Sequence, residues 1–465
     1  MFEPKIEIIA QTPEVEKLCT VAVKQTFKKE HPKELLTATD QKSIETLLGN
    51  VMKLGHYSTL EHACFTISFN DVSVFFEEFL IEHRLASYSV KSRRYVDYSQ
   101  SGYVIPDYFE DKPELKKRYA ETMNFLFDTY KYLTEKGIPT EDARFVLPYC
   151  FKTSMIVTMN VRELIHFLHT CIYGRGRKFE EVKKIGEMLL EKLNQIAPNI
   201  YKDLKSLEPE YPDDEESLKA LAHIEKRKYQ KRPKVELLWY TDDPDRKVAA
   251  SALMRSSLAG SEDIEEKLPE LKEKIIDVVL NSKRPRELEQ VNFTFRVNNV
   301  TLSSLTHISR HRIHALMVPS FTEFGKSHDY VLPDKIRSTR ELEKKYRMGF
   351  EKSADLHEFL IKQKVPEELL IYNYLSGNFV DIITTMNARE LYHFLRLRCC
   401  MRAQWEVREI ANEMLIRAKK AAPLAFKKAG PSCYLYGRCT EGKFTCGKFA
   451  EIAEKYKKFH EETAV

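Results

Sequence analysis

Met159–Leu168 reads MNVRELIHFL, and Met386–Leu395 reads MNARELYHFL. Two segments this alike, far apart in one chain, point to an internal repeat. Working outward from them, further matches appear in the same order. KIEIIAQTP (Lys5–Pro13) has its counterpart in KVELLWYTDDP (Lys234–Pro244), and LEHACFTISF (Leu60–Phe69) in LEQVNFTFRV (Leu288–Val297). EHRLASYS (Glu82–Ser89) matches RHRIHALM (Arg310–Met317), and the offset stays near 228 residues throughout. Four matches in one order at one spacing mean a tandem duplication. The modules fall at 1–225 and 235–465, joined by the charged stretch HIEKRKYQKRPK, His223–Lys234.

Each module has the same expected layout. A strand comes first, then a short helix. Next comes a strand whose buried face alternates: Phe65, Ile67 and Phe69 in one copy, Phe293, Phe295 and Val297 in the other. A longer helix then runs up to the His-Arg pair, a basic loop follows, and helices close the module. The last of these in the first module, Glu180–Ile196, carries Leu189, Leu190 and Leu193 as an apolar stripe. The fold class expected is α+β, with a small sheet flanked by helices in each module.

Composition narrows the function. A chain of 465 residues is too long for one ordinary core, which agrees with two modules. Its net charge of +5 is mild for that length; it suits anionic small ligands, and no nucleic-acid motif is present. No apolar run approaches the roughly 18 residues of a membrane span, and the N-terminus lacks a secretion pattern. A cytoplasmic protein is expected, without a membrane or nucleic-acid partner. The nine cysteines then read as reduced thiols. Three fall late, at Cys433, Cys439 and Cys446, with Cys399 or Cys400 as a conceivable fourth ligand for zinc or an iron–sulfur cluster. Their spacings are not of the short C-x-x-C kind, so the expectation is no metal.

Two segments suggest a ligand. HRLASYSVKSRRY (His83–Tyr95) gathers arginines, a lysine, a histidine and hydroxyls with no apolar face. Guanidinium groups pair bidentately with phosphate, so the stretch suits a phosphorylated ligand as well as it suits a solvated surface. In the quoted repeat, Asn160 with Glu163 and Asn387 with Glu390 read as helix N-caps with capping-box partners. Arg162 and His166, like Arg389 and His393, are spaced i, i+4 and should share one helical face.

These residues resemble the flavin-dependent thymidylate synthases. Arg310-His311-Arg312 matches the family's Arg-His-Arg; His83-Arg84, Ser87, Ser92, Arg94 and Tyr95 match the rest of its signature. GHYSTLEH (Gly55–His62), EDARFVLP (Glu141–Pro148), MNARELYHFLRLRCCMRAQWEVREIA (Met386–Ala411) and the tail AGPSCYLYGRCTEGKFTCG (Ala429–Gly447) are similar to further family motifs. The resemblance covers nearly the whole chain. It implies reductive methylation of dUMP to dTMP, with FAD, NADPH and methylenetetrahydrofolate. It implies Arg398 as the catalytic cation at the pyrimidine edge, an electrostatic role. Ser92, Arg94, Arg144, His307, Arg310 and Arg398 are implied for dUMP. His56, Ser58, Arg310, His311, Arg312, Asn387, Arg389 and His393 are implied for FAD.

Neither module keeps every family residue. The first has Glu82 for the leading Arg and Cys171 at the position of Arg398, and YGRGRKF replaces its Ala-Gln-Trp-Glu segment. The second has Pro319-Ser320-Phe321-Thr322 for the Ser-x-Arg loop, Ile371 near the place of Arg144, and Arg284 at the place of His56. The losses are complementary, since the family builds each site from two subunits. One composite of the modules keeps Ser92, Arg94 and Arg144 together with Arg310 and Arg398, and the other should be dead. The expected assembly is a homodimer forming a pseudo-tetramer. The alternatives are a non-catalytic flavin- or nucleotide-binding homologue, or an enzyme for another pyrimidine nucleotide. The change to Val90-Lys91 at the loop's start bears on both.

Overall fold

The computed structural model describes residues 2–202, 204, 232–255, 260–324 and 328–462. Most of the expected join, residues 223–231, lies outside the described residues. The chain forms two compact units. One comprises Met1–Arg227 and Ser320–Asn378, the other Lys228–Pro319 and Phe379–Val465. The sequence halves and the compact units therefore divide the chain differently.

The first unit holds an antiparallel sheet in the order β1 (Lys5–Gln11), β2 (Cys64–Ser73), β4 (Lys152–Asn160), β3 (Ala86–Val90). Phe65, Ile67 and Phe69 face the core as their alternation predicts, opposite Met159, Val157 and Met155. The other face is polar, and Thr66 and Thr158 hydroxyls meet across it at 3.0 Å. The second unit repeats the order with β5 (Val235–Tyr240), β6 (Asn292–Thr301), β8 (Phe379–Asn387) and β7 (Ala315–Met317). Phe293 pairs with Met386, and the Thr294–Thr385 hydroxyl contact is 2.9 Å. In both units the long second strand bulges near its end. There Asp71 and Asn299 take left-handed backbone angles (φ 58° and 53°), which Asp and Asn tolerate better than most residues.

The layout departs from expectation in two respects. Four strands form each sheet where the periodicity predicted two: β4 and β8 mix polar with apolar residues, and β3 and β7 have only five and three residues. The helix before the His-Arg pair is short: α1 (Val74–Ile81) and α5 (Leu302–Ser309) have eight residues each. Their N-caps, Ser73 and Thr301, are held by deeply buried carboxylates. Glu181 of α4 (Glu180–Ile196) accepts from Ser73 N at 2.8 Å and Ser73 Oγ at 2.6 Å; Glu406 accepts from Thr301 N at 3.1 Å and Thr301 Oγ1 at 2.5 Å. Glu406 belongs to the Ala-Gln-Trp-Glu segment. That segment's glutamate thus survives in the first module as Glu181, although YGRGRKF replaces its other residues.

Within the first unit, α2 (Pro113–Glu135) packs against α6 (Arg340–Lys362), its own repeat counterpart. Tyr149 N donates to Tyr374 O at 2.8 Å, and Ser376 N donates to Leu147 O at 2.9 Å. Pro148 and Leu375 bridge between them. Each partner lies 227 residues from the other bond's partner, so these bonds are reciprocal, as in an isologous interface. Gly377 closes the seam. A Cβ there would meet Phe145 Cβ and the Phe350 ring at 2.9 Å, and Phe145 O at 3.0 Å. Among the described residues, no helix is long and apolar enough to cross a membrane.

Candidate functional site

In the second unit β8 runs directly into α7 (Ala388–Arg398). Asn387 caps the helix, its side-chain oxygen accepting from Glu390 N at 2.9 Å. The carboxylate of Glu390 turns to His311 Nδ1 at 3.1 Å. His311, just past α5, is 4% exposed. Arg398, the last residue of α7, donates from Nε to His311 Nε2 at 3.0 Å and from Nη2 to His307 O at 2.8 Å. An arginine only donates, so His311 Nε2 must accept, and the neutral ring carries its proton on Nδ1, where it donates to Glu390. Burial first, then the charges of Arg398 and His393, push the His311 pKa down to about 2. Burial likewise raises the Glu390 carboxyl. The result is a row, Arg398–His311–Glu390, that fixes a half-buried guanidinium at two points.

Arg310 and Arg312 flank the buried His311 and are exposed, beside the exposed apolar side chains of Ile313 (67%) and Met317 (66%). Cations next to open apolar surface suit a ligand with phosphates and a flat apolar ring. His393 is exposed, its ring 5.6 Å from that of His311, with Arg396 Nη2 3.0 Å from its Nδ1. Arg389 does not join it. It forms an ion pair with Glu289, as Arg162 pairs with Glu61 at 2.6 Å in the first unit. In each unit an acidic residue just before the second strand of the sheet pairs with the arginine of the Arg–His couple.

The first unit holds the same framework with its cation removed. Asn160 caps α3 (Val161–Ile172) through Glu163 N at 2.8 Å. His83 is again buried, 3.9 Å from Glu163 and with its ring 4.9 Å from that of His166. The position of Arg398 holds Cys171, which is fully buried. Burial, His166 and Arg175 hold His83 down at about 3. Glu82, which replaces Arg310, pairs with Arg175, and that guanidinium lies over Phe79 at 5.1 Å and Phe321 at 5.8 Å. In each unit the two histidines and the glutamate bring ligand atoms within 4.8 Å of one another, a spacing that suits a cation. In the second unit Arg398 already supplies positive charge at His311, which disfavours a metal there.

The loop after β3 assembles the other predicted set. Arg94 N donates to Ser92 Oγ at 3.3 Å, and the Arg94 guanidinium binds Glu141 at 3.0 Å. Arg144, 3% exposed, donates to Glu141 O at 3.3 Å. Arg94 and Arg144 thus meet at Glu141, and Ser92 lies beside Arg94. Arg93, between them, points inward to Glu77 at 2.6 Å and Glu78 at 3.7 Å and anchors the loop. Val90 ends β3 opposite Met155. Ile371 is fully buried, and Ser320 and Thr322 share a 3.2 Å hydroxyl contact. His56 and Ser58 are exposed on the turn after Gly55.

Sequence reading missed Glu390 as the partner of His311, together with Arg175, Glu141 and Arg93. Only for Glu390 was there a signal. A glutamate three residues after a capping Asn in both copies can serve the cap and also a distant partner.

Comparison with known proteins adds to this geometry. The family described as thymidylate synthase complementing protein matches residues 7–199 and 236–424. A flavin-dependent thymidylate synthase from Geobacter sulfurreducens is 35% identical over 228 residues, 48% of this chain and 98% of that protein. One from Clostridium tetani is 36% identical over 242 residues, 48% of this chain and 96% of that protein. Each covers about half of this chain, as a single-copy counterpart of a duplicated chain does. A solved structure of a UMP/dUMP methylase from Streptomyces cacaoi aligns with a TM-score of 0.38 and 20% identity, over 44% of this chain and 96% of that one, a likeness too weak to argue from.

Proposed function

The chain belongs to the thymidylate synthase complementing protein family, and from that premise we propose that it is a flavin-dependent thymidylate synthase. Its reaction is the reductive methylation of dUMP to dTMP, with methylenetetrahydrofolate as carbon donor and NADPH as reductant. The observation that carries the reading is the row Arg398–His311–Glu390, intact in one unit and lacking its cation in the other, where Cys171 stands.

The exposed Arg310 and Arg312, with Ile313 and Met317 beside them, fit FAD: cations for its pyrophosphate, apolar surface for its ring system. FAD, when bound, supplies the redox chemistry. The chain's own residues bind and polarise. Arg398, fixed by His311 and the His307 carbonyl, presents charge to the pyrimidine edge and favours ionisation of the ring. Because Arg398 donates to it, His311 stays neutral and positions the cation without exchanging a proton. Ser92, Arg94 and Arg144 take the phosphate, with Arg94 leaving Glu141 as the ligand arrives. His307 and Arg310 complete the dUMP set, and His56, Ser58, Asn387, Arg389 and His393 the FAD set. The site is composite, drawing its residues from both modules, and the chain assembles as a dimer. Support comes from the sorting of losses: each module lacks what the other retains.

The experiment is a flavin count and dUMP titration of the purified protein, followed by anaerobic dTMP assays of variants. About one flavin per chain is expected, with a dUMP-dependent change in its spectrum. Arg398→Ala should lower kcat about 10²–10³-fold, the range for losing one electrostatic stabiliser, and Arg94→Ala, which removes a phosphate contact, should act chiefly by raising KM for dUMP. Thr322→Ala, on the abandoned loop, should stay near wild type. Near-normal turnover by Arg398→Ala would remove the assignment, and a large loss in Thr322→Ala would remove the composite site.

A further inference from the structure

Of the nine cysteines in the chain, four line a single open cleft in the second unit. They are Cys400, Cys433, Cys439 and Cys446, with Phe449 and Ile452 of the C-terminal helix closing one side. The chain supplies them from three places. Cys400 lies two residues past the end of α7. Cys433 sits in a short helix, Ser432–Tyr436, and Cys439 and Cys446 lie in the loop that follows. That helix ends at Gly437, whose left-handed backbone (φ 63°) reverses the chain so that Cys439 comes back toward Cys433. None of the four is in a disulfide, and all are partly exposed, unlike the buried Cys19, Cys150, Cys171 and Cys399.

The arrangement is that of metal ligands rather than of packing thiols: four cysteines from three parts of the chain line one cleft. A cation between them would offset the repulsion of four thiolates and deprotonate the ligands. The Arg402 backbone amide donates to Cys400 Sγ at 3.5 Å, the kind of hydrogen bond that tunes a ligand thiolate.

Spacing decides which centre. A tetrahedral zinc with bonds of about 2.3 Å draws its sulfurs to about 3.8 Å apart. Among the described residues, the sets of three ligand atoms within 4.8 Å of one another are the two histidine–glutamate trios, and no set of these cysteines is among them. Four thiols around a cleft, wider apart than zinc requires, match a cluster, which interposes several metal and sulfide atoms between its cysteines.

We propose that Cys400, Cys433, Cys439 and Cys446 ligate an iron–sulfur cluster of the [4Fe–4S] type, which ties the C-terminal tail to the end of the helix that carries Arg398. The tie already has a protein component: Arg396 of that helix donates to Tyr436 Oη at 2.6 Å, and Ser432 Oγ donates to Arg396 O at 3.4 Å. The inference is independent of the proposed substrate.

The test is analysis of the full chain, purified anaerobically, for iron, zinc and acid-labile sulfide. Because flavin also absorbs visible light, paramagnetic resonance after dithionite reduction is recorded alongside. About four iron and four sulfide per chain are expected, with a cluster signal on reduction. Cys439→Ala and Cys446→Ala should each lower iron and sulfide at least about fivefold, because each removes one of four ligands. Cys64→Ala, on β2 of the other unit, should leave both unchanged. Stoichiometric zinc without sulfide, or metal-free protein with four titratable thiols in this cleft, would overturn the proposal. The wild-type analysis decides the matter even if a variant does not fold.

Discussion

At the scale of the residue, Arg398 and His311 show how one charge fixes another group's chemistry. The guanidinium enforces a neutral imidazole by donating to it, and the imidazole holds the guanidinium in place. Neutral buried histidines carry a pH signature. His83 and His311 are held at about 3 and about 2, against roughly 6.5 for an exposed imidazole. Between those values only the unfolded chain takes up the proton. Their contribution to stability is therefore complete above about pH 6.5 and is lost as pH falls. Between pH 7 and pH 5 each should cost about 2 kcal/mol. Urea unfolding at the two pH values measures the drop, and His83→Gln should remove about half of it. An unchanged drop in that variant would mean that His83 is charged in the folded protein.

At the scale of the element, the repeated Asn-x-Arg-Glu start is first a piece of helix chemistry. Asn160 and Asn387 each satisfy one of the donors orphaned at a helix N-terminus. Asn387→Ala should lower stability by about 1 kcal/mol. Asn387→Asp keeps the cap and should keep stability. Measuring flavin content in both variants separates the two roles assigned to Asn387. Normal flavin in the stable Asp variant means that the cap is its whole contribution, and a loss there means that the amide itself meets the cofactor. The capping reading was legible because an N-cap is local, set by residues three apart. The second use of Glu390 was not, since its partner His311 lies 79 positions earlier and nothing nearby in the sequence announces the contact.

At the scale of the whole molecule, duplication has produced reciprocal contacts inside one compact unit. Leu147 and Tyr149 bond to Ser376 and Tyr374 as two copies of one patch would. Gly377 sits where that seam leaves no space for a side chain. Gly377→Ala should therefore destabilise the protein by about 1–3 kcal/mol, the usual cost of overpacking. Thermal or urea unfolding reads this directly, and a neutral substitution would mean that the Phe145 and Phe350 rings move aside at little cost. The seam also explains why residues 320–378 belong to the first compact unit although they come from the second repeat.

The sequence by itself determined the duplication, the α+β class and the first two strands of each sheet, because these rest on repetition and on local periodicity. It also singled out Arg398, His311, Arg94 and Arg144 through resemblance to a family. Tertiary structure alone decided which charges face each other. It gave Arg389 to Glu289, Arg175 to Glu82 and Arg93 to Glu77. It brought Cys400 to one cleft with three cysteines more than thirty residues later. The physical reason is range. Helix and strand periods are written in neighbouring residues, whereas an ion pair or a cluster of thiols depends on distance in space, which the chain sets only once it has folded.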